Sequence, residues 1–168
     1  MTAEKSLQSL KAQRDGALNA LVGSIPYIQF LDVSFDRRGD ELTATLRFDE
    51  KLIGNPILPA LHGGVTASFL EITAIVELAW QRAWDAMEAG TLTAEDIAAQ
   101  GVLQMPKTIN FTVDYLRPGR PRDCYARARV NRSGRRYASV HVEAWQDNRE
   151  KLFAQAGGHF LMPQPADG

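Results

Sequence analysis

From Val65 to about Met87 the chain contains no proline and no glycine, and apolar residues fill most positions. This is its longest apolar helical pattern, and a helix apolar on most of its circumference is normally buried. The remaining elements must therefore pack around it. The approach is a polar, proline-rich loop, Asn55-Pro56-Ile57-Leu58-Pro59-Ala60-Leu61, which leads through His62 into the paired glycines Gly63 and Gly64. In a helix interior each glycine is unfavourable by about 1 kcal/mol against alanine. At a helix start they make sense if something must approach the backbone closely. That start offers unpaired N–H groups and the positive end of the helix dipole, which suits an anionic oxygen.

Seven residues separate Gly64 from Glu71. This is a rotation of about 700 degrees and a rise of about 10 Å, so both lie on nearly one face but far apart along the axis. A carboxylate at Glu71 cannot reach a carbonyl held at its own helix start. If the pair is catalytic, two such helices packed antiparallel across a dimer must each supply half of the site. Glu71 alone also fits a solvated face or a buried ion pair; the glycines ahead of it favour catalysis. His62 reads either as a general base or as a cap and positioning group, and a helix N-terminus disfavours a charged imidazole. Asn55-Pro56 alone reads as a turn, and Thr108 alone as an ordinary strand threonine.

In chain order, residues 3–22 carry Leu7, Leu10, Ala17, Leu18, Leu21 and Val22 at helical spacing, with Gly23 and Pro26 marking the end. The run from Ile28 to Phe35, a turn at 37–40 and the alternation of Leu42, Ala44, Leu46 and Phe48 predict a strand hairpin. Residues 85–104 read as a surface excursion, a lid or an oligomer contact, in which Thr93-Ala94-Glu95-Asp96 resembles a capped helix start. From Lys107 onward the pattern is strand: 109–116, 125–130, 137–145 and 151–162, separated by short polar turns. One long helix and about six antiparallel strands predict an α+β fold with the sheet wrapped around the helix. The expected organisation is an N-terminal helix over 1–24, one domain over 25–162 and a loose tail over 163–168.

A net charge of −1 argues against nucleic acid and a membrane surface as partners. One cysteine, Cys124, rules out an internal disulfide and a thiolate-rich metal cluster, and fits a reducing compartment. The N-terminus lacks a signal-peptide apolar core. Glu71, Glu77 and Arg82 make the central helix a poor membrane span. The expectation is a cytoplasmic protein.

The pattern Asn55, His62-Gly63-Gly64 and Glu71 resembles the hotdog-fold acyl-CoA thioesterases, in the phenylacetate-pathway (PaaI-like) branch. The strand ending at Tyr115, Leu116-Arg117-Pro118-Gly119, the turn Ser133-Gly134-Arg135-Arg136 and Ala156-Gly157-Gly158 match in order, and the resemblance covers about 25–162. It implies hydrolysis of an acyl-CoA thioester at the two-fold interface of a homodimer, often paired further into a homotetramer. The Gly63 or Gly64 N–H would hold the thioester oxygen, and Glu71 would act as general base or direct nucleophile. The resemblance gives Asn55 the role of orienting thioester or water, and Thr108, entering from the partner chain, that of assisting the carboxylate. No metal and no cofactor is implied, CoA being part of the substrate.

Eight arginines fall between Arg117 and Arg136. They read as a solvated strand face or as contacts to the phosphates of CoA, which guanidinium forks suit. The resemblance assigns Arg132, Gly134, Arg135 and Arg136 to the nucleotide, and Arg117 with Pro118 to the pantetheine approach. Ile57, Leu58, Leu61, Phe69 and parts of 80–105 are expected to wall a tunnel for a medium-chain or aryl acyl group. Two alternatives are a non-catalytic acyl-CoA-binding module and a hotdog dehydratase or hydratase. The second wants a histidine ahead of the proline loop, and none precedes His62.

Overall fold

A computed structural model describes residues 2–100 and 104–164. Two helices, α1 (Thr2–Gly23) and α2 (Pro26–Leu31), lead into the hairpin β1 (Val33–Arg38) and β2 (Glu41–Leu46). A 3-10 turn, Glu50–Leu52, precedes the short strands β3 (Ile53–Asn55) and β4 (Ala60–Leu61), and then comes the central helix α3 (Gly63–Glu88). After α4 (Ala94–Gln100) the chain is strand: β5 (Lys107–Tyr115), β6 (Cys124–Ser133), β7 (Tyr137–Trp145) and β8 (Ala154–Leu161). The six long strands form one antiparallel sheet in the order β1-β2-β6-β7-β8-β5, while β3 and β4 pair separately. The sheet curls around α3, as the apolar run demands.

Alanines explain how closely helix and sheet approach. Ala44, Ala126, Ala138, Ala144, Ala154 and Ala156 occupy core-facing strand positions and are all 0–1% exposed. Against them α3 buries Phe69, Leu70, Val76, Leu78 and Trp80, each of the larger side chains contributing about 1.5–3 kcal/mol of transfer free energy. Gly158 of β8 leaves room for the Phe111 ring, which a Cβ would overlap.

Two expectations are corrected. The run from Ile28 does not begin a strand: Pro26 opens a one-and-a-half-turn helix, and Asp32 in the left-handed region (φ 54) ends it. Ile28 and Leu31, three residues apart, point into the core. Of the expected excursion over 85–104, residues 101–103 lie outside the described residues, and 85–100 form no free excursion. The central helix continues to Glu88, and α4 packs on α1 with Ile97 buried. Thr93 caps α4, its hydroxyl accepting from the Asp96 N–H while the Asp96 carboxylate accepts from the Thr93 N–H. Of the expected tail, 165–168 lie outside the described residues. Pro163 and Gln164 are tied down, the Pro163 carbonyl accepting from Arg82 and the Gln164 amide donating to the Arg135 and Met162 carbonyls.

The ladder between β2 and β6 is short. It pairs only 44–46 with 124–126, whereas β6 and β7 pair from Tyr125↔Trp145 to Ser133↔Ala138. Beyond Ala126 the sheet opens, and the gap leads to a cavity of ≈ 670 Å³ floored by Glu77, Trp80, Gln81 and Trp84 of α3.

Candidate active site

The start of α3 is assembled from backbone outward. The Asn55 Oδ1 accepts from the Ile57 and Leu58 N–H groups at 3.0 and 3.2 Å, closing the turn between β3 and β4. His62, in extended conformation, is the N-cap: its Nδ1 accepts from the Gly64 N–H at 2.9 Å. Its own N–H donates to the Leu52 carbonyl, and its carbonyl accepts from Val65 and Thr66. Gly54 makes this possible, because a Cβ there would lie 2.7 Å from the His62 Cα. The Gly63 carbonyl accepts from the Tyr115 hydroxyl at 2.9 Å. With the Gly64 N–H engaged, the Gly63 N–H is the donor at this helix start with no partner among the described residues. It lies where the helix dipole is positive.

Glu71 sits two turns further along. The partly or fully exposed positions Gly64, Ser68, Glu71 and Ile75 recur at intervals of four and three, a stripe of α3 that the sheet leaves uncovered. Thr108 Oγ1 donates to Glu71 Oε1 at 2.6 Å. This corrects the expected placement of Thr108: the hydroxyl comes from the same chain as Glu71, not from the partner. A bulge between Thr108 and Asn110 interrupts the β5–β8 register there, a device that re-aims side chains next to functional sites. On the other side of the stripe, the Tyr27 and Ser68 hydroxyls are 3.1 Å apart, and the Tyr27 ring stacks on Phe30.

Within one chain the expected residues fall into two groups. His62, Gly63, Gly64 and Asn55 lie at the Tyr115 end of β5, and Arg117 and Pro118 follow Tyr115 directly. Glu71 lies at the Thr108 end, about 12 Å from Gly63 along α3. The β6–β7 turn carrying Arg132, Gly134, Arg135 and Arg136 belongs to that same end, since Tyr137 pairs with Leu161 and Leu161 with Lys107. Thr108 and Tyr115 are about 24 Å apart along the strand. The turn arginines are exposed and make no ion pair among the described residues, while Arg117 donates to the Leu152 carbonyl.

Two residues of the helix start, Gly54 and Tyr115, have no sequence signal beyond a glycine before Asn55 and an aromatic at a strand end. Cys124 is buried, and burial pushes its thiol up to about 12, so it is a poor nucleophile. By length and composition α3 could cross a membrane, but 61% of its apolar window is buried inside the fold. Ile57, Leu58, Ile109, Tyr115 and Leu116 stay exposed, most of them on or beside the free edge of β5.

Comparison with known proteins gives the family. The family model of the thioesterase superfamily matches residues 58–153, from the proline loop to the residue before β8. The medium/long-chain acyl-CoA thioesterase YigI of Escherichia coli K12 is 31% identical over 160 residues, covering 91% of this chain and 90% of its own. A solved structure from Chromobacterium violaceum is 32% identical, covers 97% of this chain and 98% of its own, and superposes with a TM-score of 0.62. One from Shewanella oneidensis, related to the thioesterase superfamily, is 27% identical over 88% of this chain and 92% of its own, with a TM-score of 0.67. A chain that starts its buried helix at His-Gly-Gly, holds a carboxylate two turns on and matches these proteins over nearly its whole length belongs to the thioesterase superfamily.

Proposed function

We propose that the protein is an acyl-CoA thioesterase whose active site joins the Gly63 end of one copy to the Glu71 end of a second. The observation that carries this reading is the separation of the two halves: about 12 Å along one helix is too far for one thioester carbon to touch both. The edge of β5 is unpaired, and the apolar side chains beside it are exposed. An antiparallel pairing of two β5 edges would cover them and lay the Thr108 end of one copy against the Tyr115 end of the other. The uncovered stripe of α3 lies on the same side, since Thr108 and Tyr115 both reach it.

In such a dimer the Gly63 N–H donates to the thioester oxygen, because the Gly64 N–H is held by His62. Negative charge that develops on this oxygen is stabilised by the amide and the helix dipole. Glu71, oriented by the Thr108 hydroxyl, uses its second oxygen to take a proton from the attacking water, or attacks the carbonyl itself to form an anhydride that water then cleaves. In either route the carbon–sulfur bond breaks and CoA leaves as its thiol after taking a proton. His62 acts as cap and positioning group. The Asn55 Oδ1 is committed to its turn, which leaves its amide N–H groups to orient thioester or water. Arg117 with Pro118 from the Gly63 copy lines the pantetheine approach, Arg132, Arg135 and Arg136 with the close Gly134 turn from the Glu71 copy take the CoA phosphates, and the two sets meet only across the pair. No step calls for a metal or a cofactor. YigI, with its medium/long-chain substrates, and the apolar loop at Ile57 and Leu58 support a medium-chain acyl group; a buried lone cysteine supports a cytoplasmic location.

Hydrolysis of a panel of short, medium, long and aryl acyl-CoAs, followed with a thiol-reactive dye, tests the reading. Turnover is expected on part of the panel, with a loss of roughly 10²–10⁴-fold in Glu71→Ala. Binding of CoA esters without turnover in the wild-type protein would overturn it in favour of a binding module.

A further inference from the structure

We propose that Tyr115 is a positioning residue for the oxyanion donor, its hydroxyl holding the Gly63–Gly64 peptide so that the Gly63 N–H keeps its aim. The inference rests on the reading of that N–H as the donor. Two consecutive glycines give the helix start little stiffness of its own, since neither has a Cβ to restrict its backbone. Three contacts replace it. The His62 carbonyl is held by the Val65 and Thr66 N–H groups, which fixes the peptide whose other end is the Gly63 N–H. The next peptide is gripped at both ends, its N–H by His62 Nδ1 at 2.9 Å and its carbonyl by the Tyr115 hydroxyl at 2.9 Å. The Tyr115 ring also lies against Gly63, 3.5 Å from where a Cβ would be.

Of these contacts only the Tyr115 bond ties the glycines to the main sheet. The others close on α3 itself or on the small β3–β4 unit. Tyr115 also ends the strand whose other end holds Thr108, the partner of Glu71. One strand therefore sets the position of both the donor and the carboxylate, and its stiffness is transmitted to each through a single hydroxyl.

The test is Tyr115→Phe, which removes the hydroxyl and keeps the ring, in the wild-type background and in Gly63→Pro. Proline suits the first position of a helix but has no N–H, and His62 already has the extended conformation that precedes proline. In the wild-type background kcat is expected to fall about tenfold with KM unchanged, a fraction of the 10²–10³-fold cost of deleting an oxyanion donor. In the Gly63→Pro background the same change is expected to do nothing further. Tyr137→Phe, a change on the outer sheet face where the ring stacks on His159, serves as a control with unchanged kcat. An unchanged kcat in Tyr115→Phe, or the same tenfold fall in both backgrounds, would overturn the inference. Retention of full kcat by Gly63→Pro alone would instead remove the donor reading on which it stands.

Discussion

Glu77→Gln should make the protein more stable, by an amount that grows from about pH 5 and is full above about pH 7. Glu77 is 6% exposed at the floor of the cavity beside the β2–β6 gap. Burial pushes its carboxyl up from 4.5 to about 7; the Gln81 amide donating at 2.9 Å pulls it down, and the nearby Asp40 and Glu41 add to the rise. The folded chain thus holds a proton that the unfolded chain releases near 4.5, so stability is full below that pH and is lost as pH rises through about 7. A difference of about 2.5 pH units corresponds to about 3 kcal/mol at pH 8, or roughly 6–12 °C in Tm for a domain of this size. Glutamine keeps the shape and the bond from Gln81 without the charge. Urea unfolding from pH 5 to 9, at one protein concentration because the proposed dimer would make the midpoint depend on it, should show wild type losing about 1.4 kcal/mol per pH unit between 5 and 7 relative to the variant. A gain independent of pH, or none at pH 8, would refute the desolvation argument.

Other consequences can be measured directly. Glu71→Ala and Gly63→Pro should each keep about 1% or less of the wild-type rate alone, yet refolded together they should recover about a quarter of it, since random pairing makes half the dimers mixed and each has one intact site; no recovery would place both groups in one chain. Thr108→Val should lower kcat by roughly 10-fold while leaving thermal stability within about 1 kcal/mol, because the lost hydrogen bond is exposed; an unchanged rate would show that Glu71 needs no orientation. Arg135→Ala with Arg136→Ala should raise KM for acyl-CoA several-fold and flatten its salt dependence without lowering kcat, in keeping with screened phosphate contacts; a salt dependence like that of wild type would move the nucleotide elsewhere.

The central helix, the strand meander and the helix start were legible because each has its own periodicity or punctuation. The unbroken run from Val65 to Met87 allows no other element, and alternation over 137–145 allows no other strand face. What escaped was decided by contacts distant in sequence. Ile28 looked like strand because a β-rich stretch follows it, yet Pro26 and the left-handed Asp32 cut a short helix from the same residues. Nothing local says that Gly54 must pass beneath His62, or that the hydroxyl of Tyr115 lands on Gly63. Thr108 was identified through resemblance, but its chain of origin depended on the strand path and the bulge beside it.

The short β2–β6 ladder also shapes how the molecule comes apart. With three residue pairs to β6, the β1–β2 hairpin has far fewer cross-strand bonds to the sheet than β7 has to either neighbour. Side chains add to it: Arg127 of β6 reaches across the gap to Thr43 and Glu41 of β2, Arg37 of β1 bonds Asp15 of α1, and Arg14 of α1 lies over the Trp84 ring and pairs with Glu88. Hairpin, α1 and α4 thus form one cooperative unit fastened along a narrow seam, separate from the strands that carry Thr108 and Tyr115. Amide hydrogens of that unit should exchange together and early, by partial opening, while those of β7 and β8 wait for global unfolding. The strands that carry Thr108 and Tyr115 should stay folded while the hairpin, α1 and α4 open.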